Sequence, residues 1–244
     1  MKSPAGSPLR THGVLSDFGA FFIHRPEIAT LVPTGSEESR REYTERIHQR
    51  LPIAIDQYAV LNIHRIGIDA PVSLVYDELA RWSGESPCWP DHIATVENVN
   101  GSLEHIRIVA FGSWIRWLRD NIRQLNTDFG LLFRMTALEF KHTSEPVDVD
   151  NARYLLYKCS GGYPIGVFCM YARSAVESLA EPEQTQLFLA VSFNFYGREK
   201  GLVPSVMHKV WQGIHNRVTA NVMNRFKRLF EARFASLKAG DSLG

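Results

Sequence analysis

Four side chains in this sequence could move a proton or anchor a polar group inside an apolar pocket. His215 lies in a long C-terminal helical pattern, Tyr171 and Arg173 alternate along a strand-like segment, and Glu139 stands near the end of another. Imidazole titrates close to neutrality, and a buried carboxylate can act as acid or base. Around these groups the apolar residues fall into periodic sets. Met207, Trp211, Ile214 and Val218 share one arc of a 3.6-residue wheel with Val203, Val210, Val222 and Leu229, and His215 lies on its flank. Phe133 and Met135 alternate with Arg134 and Thr136, while Val191 and Phe193 alternate with Ser192 and Asn194. Trp114 and Trp117 lie on the apolar side of an amphipathic stretch whose other side carries Arg116, Arg119 and Arg123. A Trp or His in a cavity wall offers a hydrogen bond from otherwise apolar surroundings, which is how such cavities orient a ligand. These residues are therefore the expected ligand-binding set. His215, Tyr171, Arg173 and Glu139 are the catalytic candidates, with no choice made among them.

Each has a plainer explanation. The aliphatic members of the helical arc are ordinary core residues, a strand-end Glu139 belongs at a solvated rim, and Arg225 within the arc can snorkel to water. Between 164 and 176 two phases are open: Phe168 and Met170 inward, or Cys169, Tyr171 and Arg173 inward.

Composition narrows the field of functions. The chain has 244 residues, 45% hydrophobic and 22% charged, enough to bury a sizeable core. Its formal net charge of +1 gives no bulk argument for nucleic acid. Cys88, Cys159 and Cys169 form no CxxC pair, and no two histidines have ligand spacing on a shared face. Neither a metal nor a cofactor is expected. The odd cysteine count, the lack of an apolar signal segment in MKSPAGSPLRTHG and the lack of a long apolar run lead to the expectation of a cytoplasmic protein.

The elements that must position these groups follow from local texture. Residues 1–35 read as an arm whose FGAFFIH stretch is too apolar to stay in water, and 36–51 as a helix ended by Pro52. From Tyr58 a strand of β-branched residues runs to Asp69-Ala70-Pro71, where Asp69 can cap and Pro71 can open a helix reaching about Trp82. Strands follow at 93–98 and 103–111 around the Asn100-Gly101 hairpin signal, then a helical insertion at 113–125. Four more strands are expected at 131–140, 153–159, 164–176 and 186–196, and a long helix at 203–237. The fold class is α+β, with one antiparallel sheet against which the long helix buries its apolar arc.

One segment carries a known pattern. "IGIDAPVSLVYDELARWSGESPCWPDHI" resembles the opening of START-like, or SRPBCC, proteins through Ile68, Ala70, Pro71, Val75, Leu79, Trp89 and Pro90. The resemblance covers roughly residues 58–237. It implies a helix-grip fold: a curved seven-stranded antiparallel sheet around the C-terminal helix, with two short helices and an N-terminal extension. It also implies a division into an extension at 1–57 and a ligand-binding domain at 58–238. The superfamily contains lipid carriers, receptors and polyketide aromatase/cyclases, and no catalytic signature runs across it. The expected function is binding of a hydrophobic small molecule, lipid-like or polycyclic, for transfer or sequestration. The alternative is a cyclase/aromatase-like enzyme that uses pocket polar groups for proton transfer. The Trp114 helix is expected to act as a lid, with peripheral membrane contact and homodimer contact as its other uses.

Overall fold

The structure is a computed structural model. It describes residues 19–32, 36, 38, 60–80, 94–99, 102–110, 132–142, 153–159, 165–174, 184–193 and 205–241. The expected helices at 36–51 and 113–125 lie outside those residues, apart from Ser36 and Glu38.

The strands are β1 (Val60–Ile68), β2 (Ala94–Val99), β3 (Ser102–Ala110), β4 (Leu132–His142), β5 (Arg153–Cys159), β6 (Ile165–Ser174) and β7 (Thr185–Phe193). They form an antiparallel sheet in the order β1-β7-β6-β5-β4-β3-β2. From β2 to β7 each strand pairs with the next in sequence, as antiparallel neighbours do. Val99 pairs with Ser102, which leaves two residues for the turn at Asn100-Gly101. Helix α1 (Val72–Ala80) begins behind Pro71, whose carbonyl accepts the Val75 N–H. Val75, Tyr76 and Leu79 on α1 are buried. Helix α2 (Ser205–Asp241) closes the chain.

Register settles which face is which. Helix α2 meets the sheet along β1, where Gln212 Nε2 donates to Asn62 Oδ1 at 2.8 Å. Asn62, His64, Ile66 and Ile68 therefore form the helix-facing row of β1. Across the ladder this row continues through Val191, Leu189, Leu187 and Thr185 on β7, then Phe168, Met170, Ala172 and Ser174 on β6. Leu187, Leu189, Val191, Met170 and Ala172 are all buried. Further along the helix, Lys227 Nζ donates to Gly67 O and Glu231 Oε1 accepts the Asp69 N–H. Thus α2 runs beside β1 in the same direction.

The buried seam of α2 departs from the arc expected from hydrophobicity. Met223, Phe226 and Phe230 are at most 1% exposed, and Phe226 stacks on Phe230 at 5.6 Å. Val210 and Ile214, placed in the core by the wheel, are 59% and 40% exposed. The reason is that α2 packs against β1, α1 and the arm rather than against a single surface. On one side lies β1; on another lies the arm. Residues 19–32 open with a π-helical turn at Gly19–Ile23, then run along the helix and join the sheet edge. Val32 N donates to Ile63 O and Arg65 N donates to Thr30 O, bridging Leu31 to His64. Asn224 meets both backbone groups of Ile28: its Oδ1 accepts the N–H at 3.0 Å and its Nδ2 donates to the carbonyl at 3.0 Å. Asn221 Nδ2 donates to His24 O. Consequently 219–224 is buried on every side of the helix, polar residues included.

Candidate functional site

The helix-facing surface of β1 carries a polar pair inside an apolar row, and α2 answers it with a matching pair. Asn62 and His64 are 3% and 1% exposed. They face Gln212 and Asn216, one helical turn apart. The His64 ring is satisfied at both nitrogens. Nε2 lies 3.2 Å from Asn216 Oδ1, which can only accept, so Nε2 carries the proton. Nδ1 is then the acceptor for the Thr30 hydroxyl at 2.9 Å. Burial pushes the His64 pKa down to about 4, partly opposed by the Asn216 hydrogen bond, so the ring is neutral at pH 7. Asn62 differs. Its Oδ1 accepts from Gln212, but its buried Nδ2 has no partner among the described residues. A buried N–H left unpaired costs about 1–3 kcal/mol.

His215 follows Gln212 by three residues on the same helix, and burial likewise lowers its pKa to about 4. A neutral imidazole in partly apolar surroundings can donate or accept one hydrogen bond. Val218 is half-buried and Ile214 is 40% exposed. Val191 lies in the helix-facing row, buried and in register with Asn62.

The sheet separates the other polar candidates from this surface. Tyr171 and Arg173 occupy the row opposite Met170, so the open phase of β6 resolves with Met170 toward the helix. Tyr171 is 3% exposed and packs against Phe188 at 5.9 Å. Arg173 lies over the same ring at 5.6 Å and donates to Gln186 Oε1 at 3.0 Å. Glu139 is displaced by a register shift. Ala137 pairs with Tyr157 and Glu139 with Leu156, so a bulge at Leu138 ends the alternation that put Glu139 in the row of Met135. In backbone register Glu139 pairs with Leu156, and that pairing continues through Cys169 and Ala190 to Ile63. Tyr171 and Arg173 thus lie on the opposite face of the sheet from the row that meets α2.

Phe133 and Met135 on β4, Phe193 on β7, and Met207 and Trp211 on α2 have described backbone positions only. Phe133 pairs with Ile108 and Met135 with Ile106. Trp114 and Trp117 lie outside the described residues. Asn62, His64, Thr30, Gln212 and Asn216 were not anticipated. Their only sequence signal was two polar residues spaced by two within an otherwise apolar strand, matched by two polar residues spaced by four on the helix.

Among the described residues no group of three His, Cys, Asp or Glu could hold a metal ion, and no helix is long and apolar enough to cross a membrane. No family model matches the chain, and no curated protein does. Solved structures do. The Zhui aromatase/cyclase from Streptomyces sp. R1128 is 19% identical, with 71% of this chain and 94% of that one covered at a TM-score of 0.44. A START superfamily protein from Mycobacterium smegmatis is 14% identical, with 72% and 98% covered at 0.39. The di-domain ARO/CYC BexL is 16% identical, with 68% and 46% covered at 0.39. Aromatase/cyclase and START superfamily proteins are the kinds to which the sequence pattern at 66–93 bears its resemblance. At these identities the likeness is one of architecture and carries no chemistry.

Proposed function

We propose that the chain binds a hydrophobic small molecule, lipid-like or polycyclic, between its sheet and α2, for transfer or sequestration. The observation that carries this reading is the unpaired Nδ2 of Asn62 in the helix-facing row, flanked by Leu187, Leu189, Val191 and Met170. An apolar body would cover the aliphatic rows while one oxygen accepts the Asn62 N–H. Neutral His215 is the second polar contact in this reading. Trp211, Met207, Phe133, Met135 and Phe193 complete the wall, and Trp114 and Trp117 form its lid. The full helix-grip layout belongs to the same proposal: seven strands, two short helices, an extension at 1–57 and a binding domain at 58–238, in a cytoplasmic protein.

An aromatase/cyclase-type enzyme would need at least two polar side chains at one reacting centre. The placement of Tyr171 and Arg173 opposite Met170 favours the carrier over that alternative. The test is native mass spectrometry of protein purified without detergent, with solvent extraction of anything bound. A mass adduct whose extract is apolar and contains a carbonyl or hydroxyl oxygen is expected, and Asn62→Ala should lower its occupancy. Protein that runs at its chain mass and displaces no apolar fluorophore would remove the proposal.

A further inference from the structure

Among the described residues, nothing covers a stripe along the N-terminal half of α2. Val206 and Val210 are 68% and 59% exposed, and Ile214 is 40% exposed. Lys209, Gly213 and Arg217 are exposed beside them. The six residues recur at spacings of three, one, three, one and three, which puts them on one face of the helix. Gln212 and Asn216, which interleave with them, turn to β1, so this face looks away from the sheet. Further along, the same face passes beneath the arm, where Asn221, four residues after Arg217, donates to His24 O. Single exposed aliphatic side chains are ordinary on a protein surface, but three in one row at intervals of four make a patch.

The charge on this stripe has one sign. Lys209 lies on its flank and Arg217 at its end, and α2 contains no acidic residue between Ser205 and Phe230. Neither cation therefore has a carboxylate one turn away on its own helix. Glu231, the first acid beyond, is held by Lys227 and the Asp69 N–H. We propose that this stripe docks on an anionic lipid surface, with the N-terminal half of α2 lying in the plane of the headgroups. Val206, Val210 and Ile214 would sink among the upper acyl carbons, while the long stems of Lys209 and Arg217 carry their charges to the anionic headgroups. A membrane suits the stripe better than a protein partner does. Protein interfaces are anchored by large aromatic and Arg side chains set in pockets. The three apolar side chains here are small, aliphatic and without a hydrogen-bonding group. Packing the stripe on a second copy of the chain would set Lys209 and Arg217 against like charges. This inference does not depend on what occupies the space between the sheet and α2, because the stripe lies on the exposed side of the helix.

The experiment measures co-sedimentation of the full chain with phosphatidylcholine vesicles, with and without phosphatidylserine, at low and high salt. Binding about tenfold or more tighter to the anionic vesicles is expected, with the difference shrinking as salt rises. Lys209→Gln and Arg217→Gln should each weaken it by about fivefold, the contribution of one basic residue beside an anionic surface. Val210→Gln should weaken it severalfold through lost insertion. A Cβ at Gly213 meets nothing within 4 Å, so Gly213→Leu adds apolar surface to the stripe and should tighten binding severalfold, a gain that damage to the fold cannot produce. The proposal is overturned if anionic vesicles bind no more than neutral ones, or if Val210→Gln and Gly213→Leu both leave binding unchanged. It is also overturned if light scattering shows a dimer that Val210→Gln breaks, which would assign the stripe to a second copy. Docking is read by sedimentation and ligand occupancy by mass, so either reading can fail without the other.

Discussion

Acidification should destabilise this protein well before its carboxylates titrate, and His64 offers a way to measure the effect. Its pKa falls from 6.5 in the unfolded chain to about 4 in the fold, chiefly through desolvation. Between those values the unfolded chain binds the proton and the folded protein resists it, so stability falls as pH falls. The full stability is present above about 6.5, and the loss is complete below about 4. A shift of about 2.5 units is worth about 3.4 kcal/mol over the whole range, and about 2 kcal/mol of it is lost by about pH 5. The comparison is His64→Gln, whose amide keeps one acceptor for Thr30 and one donor for Asn216 but cannot titrate. Urea unfolding at about pH 7.5 and about pH 5 should show the wild type losing about 2 kcal/mol more than the variant. His215 contributes the same sign to both proteins and cancels. If His64→Gln loses as much stability on acidification as the wild type, the buried neutral imidazole is not the source and the reasoning fails.

Asn224→Ala deletes both hydrogen bonds to Ile28 and strands a backbone N–H and carbonyl on the arm. A loss of about 2–3 kcal/mol in urea unfolding is expected, together with earlier protease cleavage within 19–32. Asn62→Ala removes a satisfied acceptor together with an orphan donor. Its stability should therefore stay within about 1 kcal/mol of the wild type by thermal unfolding, while ligand occupancy falls. Phe226→Ala empties a site that is 0% exposed beside Met223 and Phe230, and should cost about 3–5 kcal/mol in the same denaturant assay.

The order of elements was legible because the punctuation is local. The β-branched run of β1 stops at Asp69-Ala70-Pro71, and Asn100-Gly101 allows only a tight turn between β2 and β3. The faces of those elements were harder to read, for two physical reasons. A period-two argument fails at any bulge, and the shift at Leu138 moves Glu139 to the row opposite the one its alternation suggests. A wheel argument assumes that a helix has one buried side. Helix α2 has more than one, and one of them is made by Asn221 and Asn224 bonding to backbone, which polarity alone presents as solvent-facing. For the same reason the polar row of Asn62 and His64 gave no sign that it was buried. Polar residues that satisfy one another across an interface look, in sequence, like residues that meet water.

The arm brings these points together. Thr30 closes the hydrogen-bond chain on His64, which bonds Asn216 on α2, while Ile28 and His24 hold Asn224 and Asn221 two turns further along the same helix. One extended segment thus ties α2 to β1 between Asn216 and Asn224, while Lys227 and Glu231 hold the far end of the contact at Gly67 and Asp69. Any opening of the space between sheet and helix by movement of α2 must break polar bonds to the arm or carry the arm with it.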